Sequence, residues 1–368
     1  MRKGICSLCL LAVSMLCGAR TVTIADNSDK APVACASVIS SNGLIIGFTD
    51  SHGSISVKNT DYPLSVRSLG YESVTVEIDS DTIFLDPATY TLSEVVITPT
   101  DRPITRALAY AREYCTGATS TDTMQMYNEY MLEFFYADGK VKGYDKSGTM
   151  PKPRNIRRYG RLSNSQGLDS IMRPKSDDDI TALSFLFSIA RMPSEAEAEP
   201  ECLRSGAVLD TVNGKYYPNF IYRKSNSLFS IECDALADYK EHRWNPWFFK
   251  ILGLTMEMQQ AKWFTAYKLN DTGTYGLRDF IYRTFNVHIN GKGKLLKKLL
   301  GIKDTIGIDC YVELYPVEIE RLSVEEYKEA KEETAIEEFR VPANAEPLPP
   351  YIEELVGRID REIPIKKR

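Results

Sequence analysis

From Thr21 onward, short apolar stretches alternate with clusters of turn-forming residues, and this rhythm constrains the fold more than any other feature. Candidate strands run Val33 to Ile39, Leu44 to Thr49, Ser54 to Val57, Leu64 to Ser68, Ser73 to Ile78 and Thr82 to Leu85. Between them stand Ser41-Asn42-Gly43, Asp50-Ser51-His52-Gly53, Asn59-Thr60-Asp61 and Asp79-Ser80-Asp81. Glycine takes positive φ without a Cβ clash, and Asn or Asp side chains bond their own backbone, so each cluster reverses the chain. Strands this short and this regularly interrupted predict a small antiparallel sandwich.

Ahead of it, Arg2 and Lys3 precede an apolar run from Ile5 to Cys17. That is the pattern of a secretory signal, and the run is too short to span a bilayer. Small residues permit cleavage after Ala19, with Cys17 two places before it, or after Ala25, with Thr23 in that place. Thr21-Val22-Thr23-Ile24 alternates like a strand that the second cut would remove, so the expected signal is 1–19. Lipidation at Cys17 is the competing reading, and the bulky Leu16 before it argues against it. The expected location is the periplasm or the periplasmic face of the outer membrane.

Across 368 residues, 45 Lys and Arg stand against 50 Asp and Glu, a formal charge of −5. No basic field is available to hold nucleic acid. Outside the signal, Cys35, Cys115, Cys202, Cys233 and Cys310 are odd in number and irregular in spacing, so no disulfide pairing can be read from them. Buried free thiols are the expectation, because a chain of this length has apolar residues enough for a core.

Pro32-Val33 followed by Ala36-Ser37-Val38, Gly47-Phe48-Thr49-Asp50 with Gly53, Leu69-Gly70-Tyr71-Glu72, and Leu92-Ser93-Glu94-Val95-Val96-Ile97 occur in that order. Over residues 20–98 this resembles the carboxypeptidase-regulatory-like domain. The resemblance implies a seven-stranded prealbumin-like β-sandwich of a kind common at the start of exported and outer-membrane proteins of Bacteroidetes-type bacteria. Pro32, Asp50, Gly53, Gly70, Tyr71 and Glu94 are its structural motif residues. In metallocarboxypeptidases such a domain accompanies the catalytic domain without itself catalysing. A zinc peptidase needs a histidine and a carboxylate at short spacing with a further histidine. The only histidines, His52, His242 and His288, are isolated, so neither metal, cofactor nor enzymatic activity is expected.

Next, Ile104, Leu108, Ala111 and Cys115 fall on one helical face after Asp101 and Pro103, predicting a connecting helix and loop over 99–122. A larger β-rich domain is expected over 123–322. Met126 to Ala137 and, after Asp138-Gly139, Lys140 to Tyr144 read as a hairpin. Further strands are predicted at Tyr216 to Lys224, Leu228 to Cys233, Trp263 to Leu269, Asp279 to Ile289 and Ile306 to Ile319, punctuated by Asn213-Gly214, Asp271-Thr272-Gly273 and Asn290-Gly291. C-terminal helices and a basic tail occupy 323–368: Ser323-Val324-Glu325-Glu326 is a capping box for a helix to Glu338, and Tyr351 to Arg361 is amphipathic. The fold class read from all this is mainly β with some α: the sandwich, then an α+β domain with a curved antiparallel sheet and C-terminal helices.

Two features invite a functional reading. Trp244, Trp247 and Phe249 line an apolar ligand pocket or simply pack a core. Lys294, Lys297 and Lys298, in a stretch from Lys292 to Lys303 interleaved with leucines, make a basic amphipathic helix for a peripheral contact with anionic lipid or an ordinary surface helix. The sequence therefore favours a non-catalytic exported envelope protein, with the sandwich as an interaction or spacer module and a larger domain that binds an unknown envelope protein or apolar ligand; the alternative is a periplasmic carrier of a lipid or other apolar ligand in a curved half-barrel. Its oligomeric state is not legible.

Overall fold

A computed structural model describes residues 19–34, 36–41, 45–68, 71–77, 80–87, 102–137, 139–145, 151–175, 192–193, 196–225, 228–244, 254–293 and 305–364. The protein is mainly β, with a large antiparallel sheet and few helices. The chain divides into two compact units, Met1–Leu92 with Asn344–Leu355, and Ser93–Ala343 with Val356–Arg368.

The first unit contains strands β1 (Ala19–Asp26), β2 (Ser37–Ile39), β3 (Ile45–Phe48), β4 (Ser54–Lys58), β5 (Leu64–Arg67), β6 (Val74–Val76) and β7 (Thr82–Leu85). They form a three-stranded sheet in the order β4-β1-β7 and a four-stranded sheet in the order β3-β2-β5-β6. Val22, Ile24, Val57, Ile83 and Leu85 of the first sheet share one core with Val38, Leu64 and Val66 of the second, which makes the pair a sandwich. Alternation places these residues inward and their neighbours outward. Gly53 is fixed by geometry: its φ is +70°, and a Cβ there would stand 2.4 Å from the Ile24 carbonyl oxygen. Residues 344–355 belong to this unit, where Glu346 accepts from Arg67 Nε at 3.1 Å with both side chains almost wholly buried.

The second unit contains β8 (Ile104–Ala118), β9 (Asp122–Ala137), β10 (Lys152–Asn164), β11 (Asp169–Met172), β12 (Glu197–Ala198), β13 (Leu209–Asn213), β14 (Pro218–Lys224), β15 (Leu228–Asp234), β16 (Leu254–Lys268), β17 (Thr274–Tyr275), β18 (Phe280–Gly293) and β19 (Ile306–Leu322). Helices are α1 (Glu201–Arg204), α2 (Val324–Glu332) and α3 (Pro350–Glu362), the last crossing the division between the units. Ten strands make one sheet in the order β11-β10-β9-β8-β19-β18-β16-β15-β14-β13, antiparallel throughout. The chain walks outward from β8 to β11, restarts at the opposite edge with β13, and walks back until β19 closes against β8. Cys115 and Cys310, directly opposed on β8 and β19, form a disulfide.

Register sorts the sheet's side chains. One face is apolar and carries Ala107, Ala109 and Ala111 of β8, Leu132 and Phe134 of β9, Val312 and Leu314 of β19, Val287 of β18 and Phe229 of β15. The other is rich in tyrosine and charge. After β19 the chain folds back over this polar face. Tyr327 of α2 packs with Ile104, Phe135 and Leu322, the carbonyl oxygens of Glu333 and Glu337 accept from Arg154 and Asn155, and the Phe339 ring lies 4.1 Å from the Arg157 guanidinium.

The segment predicted as a helix over 104–115 is β8, a central strand. Its alanines suit a helix, but nearly every side chain is buried, so the period-two alternation that marks a half-exposed strand is missing, and pairing on both sides decides the conformation. Lys140 to Tyr144 is not the return strand of a hairpin. Gly139 and Gly143 both take positive φ within a longer loop, and β9 pairs instead with β10. Asn290-Gly291 lies inside β18, and Lys292, predicted to open a helix, is in the same strand. β16 starts at Leu254, well before the predicted Trp263. The capping box at Ser323 and Glu326 is present with both hydrogen bonds, although its helix stops at Glu332 instead of Glu338. Free thiols do not describe Cys115 and Cys310; Cys233 is free and buried, Cys202 free and exposed, and Cys35 lies outside the described residues.

Candidate functional site

The polar face of the ten-stranded sheet concentrates the chemistry of the second unit. Register sets Glu313, Arg112, Glu129 and Arg157 side by side on β19, β8, β9 and β10, a ladder of alternating charge. Arg112 Nη1 stands 3.6 Å from Glu313 Oε2, with the two side chains only 5% and 1% exposed. Arg112 Nε donates to Tyr110 Oη at 3.1 Å, and Tyr110 in turn donates to Glu129 Oε1 at 2.6 Å. Tyr127 donates to the same oxygen at 3.1 Å, and Arg157 pairs with Glu129 Oε2 at 3.7 Å. Burial, and then the neighbouring Glu129, hold the Tyr110 phenol well above its ordinary range, and burial does the same for Tyr127. Both are therefore neutral donors. Tyr114, Tyr127, Tyr159 and Tyr311 pack ring against ring along the next row. This is a compensated network inside the fold, with each carboxylate facing a cation or a phenol.

On the apolar face Glu113 carries a fully buried carboxyl. Its Oε2 accepts from Tyr130 Oη at 2.7 Å and Asn128 Nδ2 at 2.9 Å, while Oε1 has no hydrogen-bond partner. Burial pushes its pKa up to about 7, against the two hydrogen bonds and the more distant Arg158 cation. Along the same face Ala107, Ala109, Ala111, Leu132, Phe134 and Leu314 expose nothing.

The two edges of the sheet differ. At β11, Asp169 is held by Arg161 at 2.7 Å and by Arg358 of α3 at 2.9 Å, and Arg173 bonds Asp360 and the carbonyl oxygen of Ile363. Hydrogen bonds from the two arginines hold the Asp169 carboxyl below its usual range. At the other edge, no strand among the described residues lies beyond β13. Val208 is 70% exposed, Leu209 48%, Val212 46% and Tyr216 47%, a run of apolar side chains along an open strand.

Of the residues singled out in the sequence, Trp244 is half-buried, bridged to Met258 through two backbone hydrogen bonds of 3.0 Å, and packs on the main core. Trp247, Phe249, Lys294, Lys297, Lys298, Gly70 and Glu94 lie outside the described residues. Asp50 Oδ1 accepts from the amides of His52 and Ser54, closing the turn that Gly53 permits; Pro32 bridges to Ala25, and Tyr71 Oη donates to Asp26 at 2.9 Å. These four residues hold turns and strand ends. His242 stacks on Tyr217 and pairs with Asp234 at 3.1 Å; burial lowers its pKa despite that carboxylate. Among the described residues no three His, Cys, Asp or Glu side chains converge as a metal site. Arg112, Glu113, Glu129 and Glu313 went unnoticed in the sequence because a cross-strand row draws on residues scattered through the chain. The open edge had a local signal in Val208, Leu209 and Val212 before Asn213-Gly214.

No protein-family model and no curated protein matches the chain. A solved β-porphyranase from the human gut bacterium Bacteroides plebeius is 8% identical, over 78% of this chain and 77% of that one, with a TM-score of 0.09. At that score the likeness carries no argument about fold or function.

What the arrangement offers chemically is limited. The polar ladder is spent on itself, the Glu113 carboxyl is enclosed, and burial pushes the Cys233 thiol up to about 12, far from a thiolate. Among the described residues the apolar side chains at β13 are accessible.

Proposed function

We propose that this protein is a non-catalytic exported cell-envelope protein, in which the N-terminal sandwich serves as an interaction or spacer module and the ten-stranded sheet binds a partner protein. The observation that carries the reading is the Cys115–Cys310 disulfide across the two central strands. Such a bond persists in oxidising compartments and is rare in the reducing cytosol.

Other observations support it. β1 sits between β4 and β7 with Val22 and Ile24 wholly buried, so cleavage after Ala25 would remove the middle strand of its sheet, whereas cleavage after Ala19 keeps it. Seven described strands in two sheets, with Pro32, Asp50, Gly53 and Tyr71 at structural positions, accord with the carboxypeptidase-regulatory-like resemblance. The apolar edge at β13, beyond which no described strand lies, suits protein binding better than catalysis.

Fractionation of the native cell with immediate alkylation of free thiols tests the address. Recovery in the envelope with Cys115 and Cys310 protected from alkylation is expected. Recovery in the cytosol with both alkylated would overturn the reading.

A further inference from the structure

We infer that the edge of β13, beyond which no described strand lies, receives an extended segment of a partner protein, with basic side chains on the Asp210 side and apolar side chains on the Leu209 side. This rests on the partner-binding reading above and names the partner's chemistry.

Backbone geometry sets the register. Lys224 N donates to the Val208 carbonyl oxygen at 3.0 Å, which makes Val208 and Lys224 a hydrogen-bonded pair. Such pairs alternate in an antiparallel ladder, so Asp210 and Val212 also turn their main-chain groups toward β14, while those of Leu209 and Thr211 turn outward. The Thr211 amide is taken by Asp210 Oδ1 at 2.9 Å. That leaves the Leu209 N–H and C=O and the Thr211 C=O directed at an incoming strand. The regular stretch ends at the irregularity between Val212 and Asn213, so the docking segment is short.

Side chains set the chemistry. Val208, Asp210 and Val212 share one side of the strand, Leu209 and Thr211 the other. Beside Asp210 lies α1, whose exposed Cys202 thiol has its pKa pushed up by partial desolvation and then by this carboxylate. Glu201 of α1 is exposed, and Glu197 acts on Tyr222, the ladder partner of Asp210. Glu199 is neutralised by Lys224 at 2.6 Å and the Arg283 cation acts on Glu197, while no salt bridge among the described residues reaches Glu201 or Asp210. The Asp210 side of the edge is therefore acidic. A lysine- or arginine-bearing strand offsets that charge and lays its aliphatic stems on Val208 and Val212, while apolar residues on its reverse cover Leu209. An acidic strand is repelled.

The test is isothermal titration of the purified full-length chain with an acetylated, amidated Lys-Val repeat peptide, against a Glu-Val repeat of the same length. Binding of the first peptide is expected, with affinity lower by about tenfold or more for the second. Leu209→Pro removes an outward-facing amide without touching the β14 ladder and is expected to weaken binding by a similar factor; proline is tolerated on edge strands. Should that variant not fold, Val212→Lys gives the same readout through charge. Equal binding of both peptides, no binding of the first, or undiminished binding by the edge variants overturns the inference. So does a concentration-dependent dimer that Leu209→Pro abolishes, since the edge would then belong to a second copy. Peptide affinity reports on the edge alone, whereas the partner-binding reading stands or falls on what accompanies the protein in the envelope.

Discussion

Cys115 and Cys310 face each other across the β8–β19 ladder with their Cα atoms 4.3 Å apart, although 195 positions separate them in the chain. That distance is typical of opposed residues at a non-hydrogen-bonded position, where side chains approach most closely. The bond joins the strand that opens the sheet to the strand that completes it.

Reducing this bond removes a constraint on the unfolded chain. The double variant Cys115→Ser/Cys310→Ser is expected to lose about 2–5 kcal/mol of stability. Denaturant unfolding with and without reductant checks this: wild type should shift on reduction, and the double variant should not.

Glu113 makes stability depend on pH. Its folded pKa, about 7, lies above its ordinary value of 4.5. The folded state therefore holds a proton that the unfolded state releases. The contribution is complete below about 4.5 and is lost as pH rises through about 7, amounting to about 3 kcal/mol at most. Glu113→Gln should flatten that part of the pH profile and be the more stable protein at pH 8, as read by urea midpoints at several pH values.

The Arg112–Glu313 pair is buried, so removing Glu313 takes from the Arg112 guanidinium the carboxylate that faces it at 3.6 Å and leaves it the Tyr110 hydroxyl. Glu313→Leu alone is expected to cost about 3–5 kcal/mol, while Arg112→Met/Glu313→Leu should recover most of the loss. A double-mutant cycle by equilibrium denaturation measures the coupling.

At Gly53 any side chain collides with the Ile24 carbonyl. Gly53→Ala should destabilise the protein by more than about 1 kcal/mol, since φ is positive there, whereas Gly167→Ala, in open space though also at positive φ, should cost less. Thermal unfolding of the two variants gives the comparison.

The N-terminal strands were legible because their turns carry local signals: Asp50 and Gly53 shape the reversal between β3 and β4 by themselves. The second unit was legible where a strand shows one clear side, as at β14 and β15. It was not legible at β8, where burial on both faces erases the alternation and Ala107, Ala109 and Ala111 imitate a helix. The disulfide and the Glu313–Arg112–Glu129–Arg157 ladder depend on which strands lie side by side, and no spacing within the chain records that β19 returns to β8. The open edge at β13 likewise becomes meaningful only once the strand order is known.

The central claim, a partner-binding protein of the envelope, is tested most directly by mass spectrometry of proteins and lipids that co-purify with the mature chain from its native envelope. The account predicts a protein partner in near-stoichiometric amount, lost from the Leu209→Pro variant. One lipid class recovered in stoichiometric amount without a protein partner would contradict it and favour the carrier of an apolar ligand.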